Sequence, residues 1–143
     1  MVQTGDPGIE CPPPANIECP PERKALMHVG SWKDVEGKAV TEAGAGGVTI
    51  RVLMGDNVGA PNFTTRHFEV APGGHTPFHA HPWEHEVFVL SGKGKVKRKD
   101  GETEVGPGSY VFVPPDEEHA FANAGTETFS FLCAIPATKV CLR

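Results

Sequence analysis

Long apolar runs are missing from this chain of 143 residues. None approaches the ~20 consecutive apolar residues that a helix needs to cross a bilayer, so no membrane partner is expected. Positive charge is also scarce: 13 Lys and Arg stand against 18 Asp and Glu, for a formal net charge of −5. That balance leaves no electrostatic footprint for nucleic acid. The one basic run, KGKVKRK at 93–99, leads into Asp100-Gly101 and reads as a solvated hairpin arm. Helical periodicity is lacking in every window long enough to matter. The opening MVQTGDPGIECPPP has neither a basic n-region nor an apolar h-region, so it carries no secretory signal and a cytoplasmic protein is the expectation.

Cysteine is limited to four residues. Cys11 and Cys19 sit in a repeated phrase, IECPP, while Cys133 and Cys141 lie near the other end. Both pairs are spaced too widely for the C-x2-C knuckle of a structural zinc site. In a reducing compartment they read as thiols, with Cys133 a small apolar residue of the strand FSFLCAI. A disulfide tying the N-terminal arm to the tail is the alternative, and the spacing does not decide between them.

Turn residues, by contrast, are plentiful: 17 Gly and 14 Pro. They divide the chain into short strand-like phrases, among them GGVTIRVLMG, FTTRHFEV (63–70), HEVFVLSG (85–92), SYVFVPP, HAFAN and TFSFLCAI. GKVKRKDGETEV reads as a hairpin turning at Asp100-Gly101. Short strands at regular spacing argue for an all-β sandwich or barrel in a single domain. The expected organisation is a Pro- and Cys-containing extension at 1–24, a barrel domain at 25–136 and a tail at 137–143.

Histidine is the other surplus. The stretch HTPFHAHPWEHEVFVLSGKG holds His75, His79, His81 and His85, four of seven in the chain. Alternate residues of a strand share a face, so His79 and His81 point the same way. Pro82 suits a bend after them, letting His85 open the next strand and face back. Convergence of imidazole nitrogens on a metal ion gives this spacing a physical purpose. The phrase His81-Pro-Trp-Glu84-His85 also fits the H-x-x-E-H peptidase pattern, but that motif needs a helix, and VFVLSGKGKV is built for strand.

The two histidine regions resemble the motifs of the cupins. Gly73, His79, His81 and Gly92 match the first motif, G-x5-H-x-H-x3,4-E-x6-G, with His85 where the family usually has glutamate. Gly108, Pro114, His119 and Asn123 match the second, G-x5-P-x-G-x2-H-x3-N, with Asp116 in place of the middle glycine. The likeness spans roughly residues 48 to 136, and it is similar above all to single-domain cupins with four histidine ligands. It implies a double-stranded β-helix (jelly-roll) barrel, a homodimer, and manganese held by His79, His81, His85 and His119. Imidazole donors by themselves suit iron, zinc, nickel or copper as well.

Four neutral ligands leave the charge of a divalent ion undiminished, and in six-coordination two positions stay open for substrate or dioxygen. The favoured reading is an oxygenase-type reaction on a small oxygenated organic molecule. The alternatives are a lyase or isomerase in which the ion polarises a carbonyl, and a non-catalytic binding module. Arg51, Arg66, Trp83 and Phe121 are the candidates for the pocket wall. Tyr110 and Phe112 alternate with Val111 and Val113, so one pair must face inward. His28, His67 and His75 read as surface or loop residues.

Overall fold

A computed structural model describes residues 25–137. The extension expected at 1–24, with Cys11 and Cys19, and most of the tail, with Cys141, lie outside the described residues. Two 3₁₀ turns, Trp32–Asp34 and Asp56–Val58, are the only helical pieces among those described. The other elements are strands: β1 (Lys38–Ala39), β2 (Gly46–Met54), β3 (Phe63–His75), β4 (His85–Ser91), β5 (Gly94–Arg98), β6 (Gly101–Val105), β7 (Tyr110–Val113), β8 (His119–Asn123) and β9 (Phe129–Pro136). They form one antiparallel sheet in the order β6-β5-β8-β3-β9-β4-β7, with β2 also paired to β3 and β1 to β2. The protein is all-β, a single-domain jelly-roll barrel. No helix among the described residues is long and apolar enough to cross a membrane.

Period-two alternation decides which side chains go inside. Along β4, His85, Val87 and Val89 are buried while Glu86, Phe88 and Leu90 point out. On β7 the inward pair is Val111 and Val113, and Tyr110 and Phe112 are exposed. The core gathers Val48, Phe68, Val70, Val87, Val89, Val96, Val113, Phe121, Phe129, Phe131 and Cys133. Phe131 stacks on Phe68 at 5.0 Å between centroids and lies 4.9 Å from Phe121. Apolar burial of this kind, at ~25 cal/mol per Å², is the main term holding strands that have few other contacts.

Strand β3 departs from the sequence reading, which ended it at Val70 before Ala-Pro-Gly-Gly. It continues to His75. Val48 pairs with Val70 but Gly46 pairs with His75, so residues 71–74 form a bulge on β3. Gly73 takes φ +76°, open to glycine at no steric cost. A Cβ on Gly74 would stand 2.7 Å from the Gly46 carbonyl and 2.8 Å from that of Ala71. The bulge lets one strand serve two neighbours: β3 pairs with β9 from Phe63 to Val70, then with β8 at His75. The β5–β6 hairpin also shifts by one residue. Arg98 pairs with Gly101, so Lys99 and Asp100 make the turn and Gly101 starts the strand.

The histidine region comes close to the expected layout. His79 makes an isolated antiparallel bridge with His119 instead of closing a strand: its N–H donates to His119 O at 3.1 Å, and its carbonyl accepts from the His119 N–H at 3.0 Å. Pro82 and Trp83 form a bend, and His85 opens β4 as anticipated. The backbone through Glu84 is not helical, which removes the peptidase alternative. Asp116 is the one non-glycine residue with positive φ, +65°, among the described residues. It stands where the resemblance expected glycine, and aspartate is among the few side chains that tolerate this region.

Candidate metal centre

The imidazoles of His79, His81, His85 and His119 meet inside the mouth of the barrel. His85 arrives by sharing the inward parity of Val87 and Val89, and His119 by sharing that of Phe121. Reciprocal hydrogen bonds across the 79–119 bridge bring the first pair together. Ring centroids lie 4.2 Å apart for His79 and His81, 4.9 Å for His85 and His119, 5.2 Å for His81 and His85, and 5.3 Å for His79 and His119.

Outer partners hold several of these rings. His119 Nδ1 donates to the Glu117 carbonyl at 2.9 Å, leaving Nε2 with its lone pair. His79 Nδ1 lies 3.1 Å from Glu42 Oε1. His85 Nδ1 faces Cys133 Sγ at 3.4 Å and Arg66 Nη2 at 3.5 Å, while its Nε2 is buried with no partner among the described residues. The carbonyl behind His119 and the carboxylate behind His79 are acceptors of the kind that fix Nδ1–H and leave Nε2 free to ligate, whereas the guanidinium beside His85 Nδ1 can only donate.

Charge supports the same picture. Burial, then the neighbouring His119 and Arg66, lowers the pKa of His85 to about 3. Burial is also the first cause of the lowered values of His81 and His119, with His79 adding to each. These three rings are neutral at physiological pH, the form in which imidazole binds metal. Burial raises the pKa of the Cys133 thiol despite the opposing influence of Arg66.

The donors fit a divalent cation. His79 Nε2 and His81 Nε2 face each other at 3.1 Å. Two nitrogens held ~2.1 Å from one ion at right angles stand ~3 Å apart. The unpartnered Nε2 of His85 is the kind of buried atom that a ligand bond would satisfy. Among the described residues, however, no three His, Cys, Asp or Glu side chains present a finished coordination set.

Around the rings lies a cavity of about 240 Å³, lined by Val40, Val48, Ile50, Phe68 and Phe131 on its apolar side. Arg66, Trp83 and Phe121 also line it. Trp83 stacks on His81 with centroids 4.6 Å apart, and Phe121 serves the core and the cavity wall together. Arg51 does not reach it. Its side chain bonds Glu69, donates to the Val35 carbonyl at 3.0 Å and lies over the Trp32 ring. His67 also corrects the sequence reading: it is 2% exposed, stacked under Trp32 at 4.4 Å. The 3₁₀ turn at Trp32–Asp34 covers a face of β3 that would otherwise meet solvent. Exposure of His28 and His75 agrees with expectation.

Two residues at the site went unrecognised as such in the sequence. Glu42 sits in a turn between β1 and β2, 37 positions from the His79 it contacts, with no local pattern to mark it. Cys133 is free and buried, as read, but its contact with His85 depends on β9 lying beside β4, where Cys133 pairs with Val87.

Comparison with known proteins agrees with this architecture. The Cupin domain family matches residues 66–135. A 1-methylthio-D-xylulose 5-phosphate methylsulfurylase from Rhodospirillum rubrum is 32% identical over 76% of this chain and 70% of its own length. The chain is a cupin. Another cupin-fold structure, the polyketide cyclase RemF from Streptomyces resistomycificus, superposes with a TM-score of 0.75 at 38% identity, covering 82% of this chain and 84% of that one. A glucose-6-phosphate isomerase from Thermococcus kodakarensis is 38% identical over 60% of the cupin described here, which spans 44% of that relative.

Proposed function

We propose that this cupin is a metal-dependent enzyme acting on a small oxygenated organic molecule, with His79, His81, His85 and His119 as the ligands. The observation that carries the reading is the meeting of four imidazoles, three of them held neutral by burial, with the Nε2 of His85 left unpartnered. Manganese is the ion favoured by the resemblance to four-histidine cupins. A divalent ion held there supplies Lewis acidity to a carbonyl or related oxygen. The chain's residues do the rest: Trp83 and Phe121 wall the cavity, and Glu42, the one carboxylate lining it among the described residues, could take a proton from a bound substrate.

For the reaction, we favour polarisation of a carbonyl without oxidation. A cyclase, an isomerase and a methylsulfurylase are the activities named for the three relatives, and each name describes a rearrangement or transfer. The oxygenase reading raised by the sequence stays as the rival: dioxygen uptake that tracks substrate loss would restore it. Elemental analysis of the purified protein beside a His79→Ala, His119→Ala double variant tests the site itself. A bound divalent metal in the first and its loss from the folded second is expected; equal metal content in the two would end the proposal.

The homodimer implied by the same resemblance has a surface to support it. Among the described residues β7 is an edge strand, and Tyr110, Phe112 and Phe88 stand 84%, 56% and 49% exposed on the outer face beside it. An apolar face ending in an open strand edge invites pairing, and a second copy of this chain offers the matching edge.

A further inference from the structure

Two arginines on neighbouring strands meet opposite fates. Arg51 on β2 is paired with Glu69. Arg66 on β3 turns into the cavity and has no ion pair among the described residues. Its guanidinium donates to Cys133 Sγ at 3.1 Å, touches the edge of His85 and lies 5.0 Å over the Phe68 ring, and its Nε is buried without an acceptor. Glu42, the only carboxylate lining the cavity among the described residues, is engaged with His79. A guanidinium left among sulfur, ring faces and Val or Ile side chains is a poorly compensated charge, and such a charge is costly unless something neutralises it.

We propose that Arg66 is the specificity-determining anchor of the cavity, and that it selects an organic anion with a largely apolar body. The anionic oxygen lies against Arg66, while the carbon skeleton covers Val40, Val48, Ile50 and Phe68. Guanidinium suits this task because its planar fork matches a carboxylate or enolate oxygen and stays charged at every physiological pH. The inference rests on reading this cavity as the substrate site, and it names the charge class of that substrate.

Calorimetric titration with benzoate and with benzamide tests it, these two differing in charge and little in shape. A ring of this size fits the 240 Å³ cavity, since a smaller engineered cavity of ~150 Å³ admits benzene. Each titration is run on protein as purified and after metal removal. Wild type is expected to prefer benzoate by about tenfold to a hundredfold in both states, the strength of a charge-assisted hydrogen bond. Arg66→Met and Arg66→Gln should lose the preference when compared with wild type in the metal-free state, where any change in metal content does not enter, and Arg66→Lys should keep part of it.

No preference in wild type overturns the proposal. So does a preference that survives in Arg66→Met, or one that disappears when metal is removed, because the ion would then be its source. An Arg66-dependent preference in protein that never holds a metal sustains the anchor while refuting the metal site, so the two readings fail separately. Should the neutral variants not fold, the wild-type and Arg66→Lys comparisons still decide.

Discussion

Glu42 shows how much of the proposed centre depends on single contacts. Its carboxylate touches His79 Nδ1, and a charged acceptor there favours the tautomer whose Nε2 is free to ligate. Glu42→Gln keeps the size and weakens the acceptor, so metal affinity should fall about tenfold to a hundredfold. Competition with a chromophoric chelator measures this, and an unchanged affinity would show that the contact is idle. At this scale the sequence was informative where spacing carried the signal. His79, His81 and His85 could be singled out because parity and turn placement are local, whereas His119 was added only by the resemblance to the second cupin motif. The fate of Arg51 and Arg66 could not be, because the two lie on paired strands with similar surroundings in the sequence. Which of them meets a carboxylate depends on the cross-strand position of Glu69, the register partner of Thr49, two residues along the same face from His67, whose register partner is Arg51.

Among the elements, β3 decides the most. The glycine-containing bulge at 71–74 passes it from β9 to β8, and the chain then runs straight into Thr76, whose N–H donates to the Phe121 carbonyl at 2.8 Å. That sequence of contacts sets where His79 meets His119. Gly74→Ala should therefore act twice. Its Cβ would press on two carbonyl oxygens at 2.7 and 2.8 Å, costing about 1–3 kcal/mol of stability, and it should lower metal content by disturbing the His79 bridge. Denaturant melts and elemental analysis read the two effects, and a variant as stable as wild type would remove the bulge from the argument. Ala-Pro-Gly-Gly looked like a strand end because Pro and Gly interrupt most strands. A bulge uses the same residues for a different purpose, and composition does not distinguish them.

For the whole molecule, the open edge at β7 and its aromatic face make assembly a testable property. Phe112→Glu places a charge in the centre of that face, where Phe112 is 56% exposed in the single chain. Light scattering should give a dimer for wild type and a monomer for the variant, both retaining the histidine cluster, since Phe112 points away from it. A wild-type monomer at micromolar concentration would refute the dimer. The sequence by itself limited the fold to an all-β sandwich or barrel, because alternation, turn residues and the absence of helical period are local properties that every short segment states for itself. The choice of a jelly-roll barrel, and of His119 as the fourth imidazole, came from the resemblance to the cupin motifs. What tertiary structure alone decided was the surroundings of those imidazoles: Glu42 behind one, Cys133 and Arg66 behind another, Trp32 closed over His67. Each of these contacts joins segments far apart in the chain, and only strand register, fixed by the packing of the whole core, brings such segments face to face.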